Sequence, residues 1–275
     1  MKLTIIGLGL IGASMAKAMK ATAHIAGVDE SSRIVRQALE EGVIVEGSTD
    51  MAVASGSDVV VIAVPVGSIV DTARKVIRHI DENTVLTDTG STKARIVESI
   101  DLDFPSFVGS HPIAGKEYPG YAHSQADLFR GAMAIITPAG NTRQGCIDSI
   151  KRLWESCGAS IRIMDPFVHD RLMAVISHMP HLLSYASMRL ADDLRIHRQL
   201  LGAGFRDFTR IAASDPVMWR DIFFDNRDNI LPLIDTYMEE LKHLRTLIEE
   251  NKAQDLQDTL SSYAHIRRAL YGHSR

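Results

Sequence analysis

The sequence predicts an α/β fold, a parallel sheet wrapped in helices over residues 1–165, followed by an all-helical domain over residues 166–275. Three observations predict it. Short, wholly apolar runs alternate with helix-period stretches through the first part, as in successive strand–helix–strand units. Strand signals stop after Asp165. Near the C-terminus Ile230, Ile234, Tyr237, Leu241, Leu244 and Ile248 recur at alternating steps of four and three, the spacing of a helix seam.

Taken in order, residues 3–6, 25–28 and 59–64 read as buried strands. The run ending at Val64 is apolar at every position, which fits a strand covered on both faces, and Pro65 stops it. Further strands are expected near residues 85–87, 107–109, 132–137 and 160–163. Between the last two, residues 142–157 place Ile147, Ile150, Trp154 and Cys157 on one helical stripe. The seam from Ile230 to Ile248 predicts a long helix packed against a partner, either another helix of the same chain or a second subunit.

Composition narrows the functional classes. The 275 residues are 45% hydrophobic and 23% charged, which excludes disordered and fibrous chains. A net charge of -4, with Lys and Arg scattered, offers no footprint for nucleic acid or an anionic membrane, so the expected partner is a small molecule or another protein. No apolar run approaches the length of a bilayer span. Cys146 and Cys157 fall within one predicted helix, about 16 Å apart at helical rise, and cannot bridge each other. Without paired or metal-spaced cysteines, the expected compartment is the reducing cytoplasm. From the reading of Met1 to Arg275, no separate regulatory domain is expected.

Gly7-Leu8-Gly9-Leu10-Ile11-Gly12 follows the first strand and opens a helix, the setting in which such glycines bind a dinucleotide. Gly7 makes the tight turn, Gly9 admits a pyrophosphate against the backbone, and Gly12 lets helix and strand pack closely. Leu10 and Ile11 begin the helix whose N-terminal N–H groups face the phosphates. Asp29, ending the second strand, suits a ribose 2′-hydroxyl and favours NAD over NADP, with Arg33 nearby pulling the other way. Val64 and Pro65, closing the apolar run that begins at Val59, complete the expected cofactor-binding set.

Polar clusters then fall where strands should end: residues 87–93, 109–117, and 204–210 with 214–220 in the helical part. The glycine loop, Gly109-Ser110-His111-Pro112-Ile113-Ala114-Gly115 and Phe205-Arg206-Asp207-Phe208-Thr209-Arg210-Ile211-Ala212 resemble, in type and order, the motifs of the prephenate/arogenate (cyclohexadienyl) dehydrogenases of tyrosine biosynthesis. The resemblance runs from residue 1 to about residue 250. It implies a Rossmann dinucleotide-binding domain followed by an all-helical dimerisation domain, NAD as cofactor, no metal, and a homodimer acting on prephenate or arogenate.

It also implies roles. His111 would take the proton of the substrate hydroxyl as hydride leaves the same carbon, Ser91 would position the hydroxyl and His111, and Arg210 would grip a carboxylate with its planar fork. Asp207 would orient Arg210, and His181 and Trp219 would line the substrate pocket. Glu117 would face the substrate side chain, where a carboxylate suits the ammonium of arogenate; Lys116 beside it blunts that preference. Each residue has a plainer alternative. A His-Pro pair can cap a turn, Ser91 can cap a helix, Arg210 can simply pair with Asp207, Trp219 can be core, and His178 with His181 can invite a metal. Tyr118 and His123 lie in a loop able to cover the cofactor. A β-hydroxyacid dehydrogenase would need a helical catalytic lysine that the sequence lacks, and a non-catalytic dinucleotide sensor would not need His111, Ser91 and Arg210 together.

Overall fold

In the computed structural model, residues 1–101, 104–115, 118–193 and 197–272 are described, and the chain divides into two compact units, Met1–Arg227 and Asp228–Arg275. The first unit is built on an eight-stranded sheet in the order β3-β2-β1-β4-β5-β6-β7-β8. Its strands are β1 (Lys2–Ile6), β2 (His24–Val28), β3 (Glu46–Ser48), β4 (Val59–Ile62), β5 (Val85–Asp88), β6 (Phe107–Ile113), β7 (Met133–Thr137) and β8 (Ser160–Ile163). Helices α1 (Leu10–Met19), α2 (Ser32–Glu40), α3 (Ile69–Val76), α4 (Ala94–Asp101) and α5 (Gln144–Ser156) connect them.

Apolar residues at every position of β4 have a simple cause. Val59 and Val61 enter one buried cluster with Leu3, Met15 and Trp154, whereas Val60 and Ile62 enter a second with Ile69, Ile96 and Phe107. Alternation of side chains therefore feeds two cores, one on each side of the sheet.

One pairing departs from the all-parallel expectation: β7 runs antiparallel to β6, with His111 opposite Ile135. A parallel return needs a crossover, usually a helix, and residues 114–132 hold, among those described, only the short 3-10 turn Tyr121–His123. Strand β6 also extends past the expected residue 109 to Ile113, so His111 lies within a strand rather than after one.

Beyond β8 the chain is helical: α6 (Pro166–Met173), α7 (Met179–Asp193), α8 (Ala203–Thr209), α9 (Pro216–Asp225), α10 (Arg227–Glu249) and α11 (Ala253–Tyr271). Helices α6 and α7 are joined by one wide π-helical turn, Ala174–His178. Pro180 has no N–H to give Ile176, which removes a regular helical bond at that point. Asp165 caps α6 and Asp215 caps α9, each accepting two backbone N–H bonds ahead of a proline.

In the second unit α11 folds back along α10 through Asn251, a left-handed residue (φ 53°), and Tyr263 donates to Glu240. The predicted seam lies on α10, yet Leu241 and Ile248 are 52% and 62% exposed in the single chain. No described helix is long and apolar enough to cross a membrane.

Candidate active site

The glycine loop turns between β1 and α1 at the end of the sheet where β2 and β4 also finish. Gly7 has φ 93°, and a Cβ there would sit 2.5 Å from the Ala63 carbonyl oxygen. At Gly12 a Cβ would lie 1.9 Å from the Gly7 carbonyl oxygen. Both glycines are thus required by close backbone approach. Gly9 differs, since a Cβ there would meet nothing within 4 Å. It borders open space at the start of α1, where N–H groups and the positive helix end favour an anion.

Asp29 faces this loop. Its Oδ2 accepts from Leu8 N (2.8 Å) and its Oδ1 from Ser31 N (2.9 Å), so the carboxylate that was expected to meet a ribose also braces the turn. Each oxygen keeps a lone pair for a hydroxyl. Val64 lies against Gly7, and exposed Pro65 leads into the next turn.

Ser91 is held at the tip of a loop pinned from several directions. Asp88 accepts from Gly90 N (2.8 Å), Ser110 N (3.2 Å) and the Lys93 ammonium, and Lys93 Nζ also donates to Ser110 O (2.9 Å). Lys93 and Asp88 are wholly buried; burial pushes the Lys93 ammonium down and Asp88 opposes that shift. Thr92 donates to Asp225 at the end of α9. Ser91 does not cap α4. Asp170 of α6 does so, accepting from Lys93 N (2.7 Å) and Ala94 N (2.9 Å).

His111, half-buried on β6, points its Nδ1 at His169 Nε2 (2.9 Å), and His169 Nδ1 meets Asp170 Oδ1 (2.8 Å). Burial above all, then the neighbouring His169, Lys93 and His178, holds His111 well below its ordinary 6.5. It is therefore a neutral base at neutral pH. The His-Pro turn cap considered from sequence does not describe this residue.

A second group adjoins the first. His178 Nδ1 accepts from Asn226 Nδ2 (3.0 Å), which also donates to the Asp170 carbonyl (2.8 Å). His181 Nδ1 donates to Ser177 O (2.9 Å), and its ring stacks on Trp219 at 3.6 Å between centroids. Trp219 is buried, and its indole N–H has no hydrogen-bond partner among the described residues. Burial lowers His181 most, its bond to the Ser177 carbonyl opposes that shift, and the Arg210 charge lowers it further. Arg210 opens the 3-10 turn after α8 with helical dihedrals (φ -54°, ψ -42°), three residues beyond Asp207. Among the described residues no three His, Cys, Asp or Glu side chains gather as a metal site.

All these residues belong to the first compact unit. Tyr118 and His123 rings lie 5.5 Å apart in the β6–β7 connection, which is tied to α1 by Gln125 N to Ser14 Oγ (2.9 Å) and Lys17 Nζ to Ser124 O (3.1 Å). Lys116 and Glu117 lie outside the described residues. Sequence reasoning missed His169, Asp170 and Asn226. No local pattern marks them, since, apart from the bond between neighbours His169 and Asp170, the contacts described above join positions 48 to 77 residues apart.

Comparison with known proteins places this geometry in context. A family model described as prephenate dehydrogenase, nucleotide-binding domain, matches residues 13–163, and one described as prephenate dehydrogenase, dimerization domain, matches residues 165–262. The first begins just past Gly12, so the glycine loop stands on its own geometry. Prephenate dehydrogenase of Bacillus subtilis is 35% identical over 93% of this chain and 73% of its own. Cyclohexadienyl dehydrogenase of Zymomonas mobilis is 33% identical over 98% and 95%. Among solved structures, prephenate dehydrogenase from Aquifex aeolicus in complex with hydroxyphenyl propionate and NAD+ superposes with a TM-score of 0.91 at 33% identity, covering 98% of both chains.

Proposed function

Because the chain belongs to the prephenate dehydrogenase family, we propose that it oxidises prephenate with NAD, releasing carbon dioxide and 4-hydroxyphenylpyruvate. The observation that carries the reading is His111, a neutral imidazole tethered at one nitrogen and so able to present the other to a substrate hydroxyl.

The residues present fit a dinucleotide. Gly9 leaves room for it, the start of α1 supplies N–H donors through Leu10 and Ile11, Asp29 offers lone pairs for a ribose, and Val64 and Pro65 border the same turn. When bound, NAD accepts the hydride. The chain does the rest. His111 Nε2 takes the hydroxyl proton as the carbonyl forms, Ser91 orients that hydroxyl from its pinned loop, and Arg210 holds a carboxylate beside His181 and Trp219. Loss of the ring carboxylate then yields an aromatic product, which makes the overall step strongly favourable. Asp207 and Glu117 complete the proposed substrate-binding set.

The division into residues 1–165 and 166–275 is part of the same proposal, supported by the last strand ending at Ile163 and by family models that meet between residues 163 and 165. So is a homodimer through the helical domain, supported by the dimerization-domain match and by exposed Tyr237, Leu241, Ile248 and Leu260. A cytoplasmic location accords with two buried, unbridged cysteines. Purified protein supplied with NAD or NADP and prephenate or arogenate should show fastest formation of reduced cofactor with NAD and prephenate. Absence of turnover with every pairing would overturn the reading.

A further inference from the structure

We propose that His169 and Asp170 act as positioning residues that fix the tautomer of His111, so that Nδ1 carries the hydrogen and Nε2 keeps the lone pair for the substrate. The proposal rests on the reading of His111 as the base and deepens it.

The hydrogen bonds place each proton in turn. Both oxygens of Asp170 receive backbone N–H groups at the start of α4, Lys93 N on Oδ1 and Ala94 N on Oδ2. Such a carboxyl is held as an acceptor. The third contact on Asp170, 2.8 Å from His169 Nδ1, must then be donated by the ring. His169 is wholly buried, and burial, its largest perturbation, pulls it below 6.5 against the opposing pull of Asp170, which leaves one ring hydrogen rather than two. With that hydrogen on Nδ1, His169 Nε2 is an acceptor. The atom 2.9 Å away, His111 Nδ1, must donate to it.

The consequence for the reaction is directional. As Nε2 of His111 gains the hydroxyl proton, the ring becomes an imidazolium whose Nδ1–H bond to His169 strengthens, and His169 is polarised in turn toward Asp170. No proton has to leave His111 on its distal side. A base oriented by a second group, itself oriented by a third, is a general solution for proton transfer. Here the second group is an imidazole, which accepts from the first while donating to the third. Lys93 and His178 stand around the chain and discourage charge on it, whereas Asp170 and Asp88 favour charge on His169.

Nitrogen-15 NMR of the histidine rings in the protein without substrate reads the tautomer directly, with the His111 signals assigned by their loss in His111→Asn. The expected state is neutral His111 with hydrogen on Nδ1 and neutral His169. Hydrogen on His111 Nε2, or a doubly protonated His169, overturns the proposal, and this readout requires no activity and no folded variant of His169. In turnover, His169→Phe should lower kcat by about 100-fold while KM for prephenate and affinity for NAD stay within about two-fold of wild type. An unchanged kcat overturns the positioning role. Should prephenate not be turned over while His111 shows the Nδ1–H form, the substrate reading fails and the tautomer assignment stands.

Discussion

Acidification from pH 7 to pH 4 should remove about 3 kcal/mol of stability through one side chain, His178. The ring is 1% exposed, accepts a hydrogen bond from Asn226 at Nδ1, and has a folded-state pKa lowered from 6.5 to about 4. Burial is the main cause, with His169 and His181 adding to it and Asp170 opposing. In the unfolded chain His178 takes up its proton as pH falls through 6.5, but the folded protein resists until about pH 4. Over that window the unfolded state binds more protons, so stability is complete above 6.5 and falls with pH. Each pH unit crossed between the unfolded and folded pKa values removes about 1.4 kcal/mol, and the loss by pH 4 reaches about 3 kcal/mol. Urea unfolding of wild type and His178→Gln at pH 7 and pH 4 measures it, because glutamine can still accept from Asn226 but does not titrate. Wild type should lose about 3 kcal/mol more than the variant. Equal losses would refute the reasoning.

Other outcomes follow from the same geometry. Gly9→Ala should leave the urea midpoint unchanged, since its methyl meets open space, yet weaken NAD binding at least about 10-fold if the dinucleotide occupies that space. Gly12→Ala should instead destabilise the fold by about 2 kcal/mol or more, because its methyl strikes the Gly7 carbonyl; matching effects in the two variants would contradict the distinction. The acid limb of kcat/KM should fall below pH 6.5, as the neutral form of His111 persists under that value. A limb above 6.5 would show that another group controls it. Arg210→Ala should raise KM for prephenate about 10- to 100-fold, the worth of a charged hydrogen-bond pair, and an unchanged KM would remove Arg210 from carboxylate binding.

Legibility in the sequence tracked how local each feature is. Strand β4 is readable because both its faces are buried, which writes an unbroken apolar run into the chain. The glycine loop is readable because Gly7 and Gly12 are fixed by neighbouring backbone. The far half of β6 is not, since its pairing comes from β7 and a His-Pro step inside a strand carries no apolar signature. Ser91 shows a different limit: a serine just before a helix looks like a cap, but the N–H groups it would serve are taken by Asp170, a residue 76 and 77 positions away from them. The seam on α10 is visible in sequence, but its fate is divided in the single chain, where Ile230 is buried and Tyr237, Leu241 and Ile248 are exposed.

Asp170 has a consequence for how such a chain can change over generations. One carboxylate starts α4 and also terminates the histidine chain behind His111. A substitution there removes a helix cap and unsettles the base at once, and a second mutation elsewhere that restores stability does nothing for proton transfer. Selection for a durable protein and selection for a fast one thus converge on a single side chain. The expectation for a saturation library at position 170 is a barren site, with even glutamate, one methylene longer, unable to serve both masters.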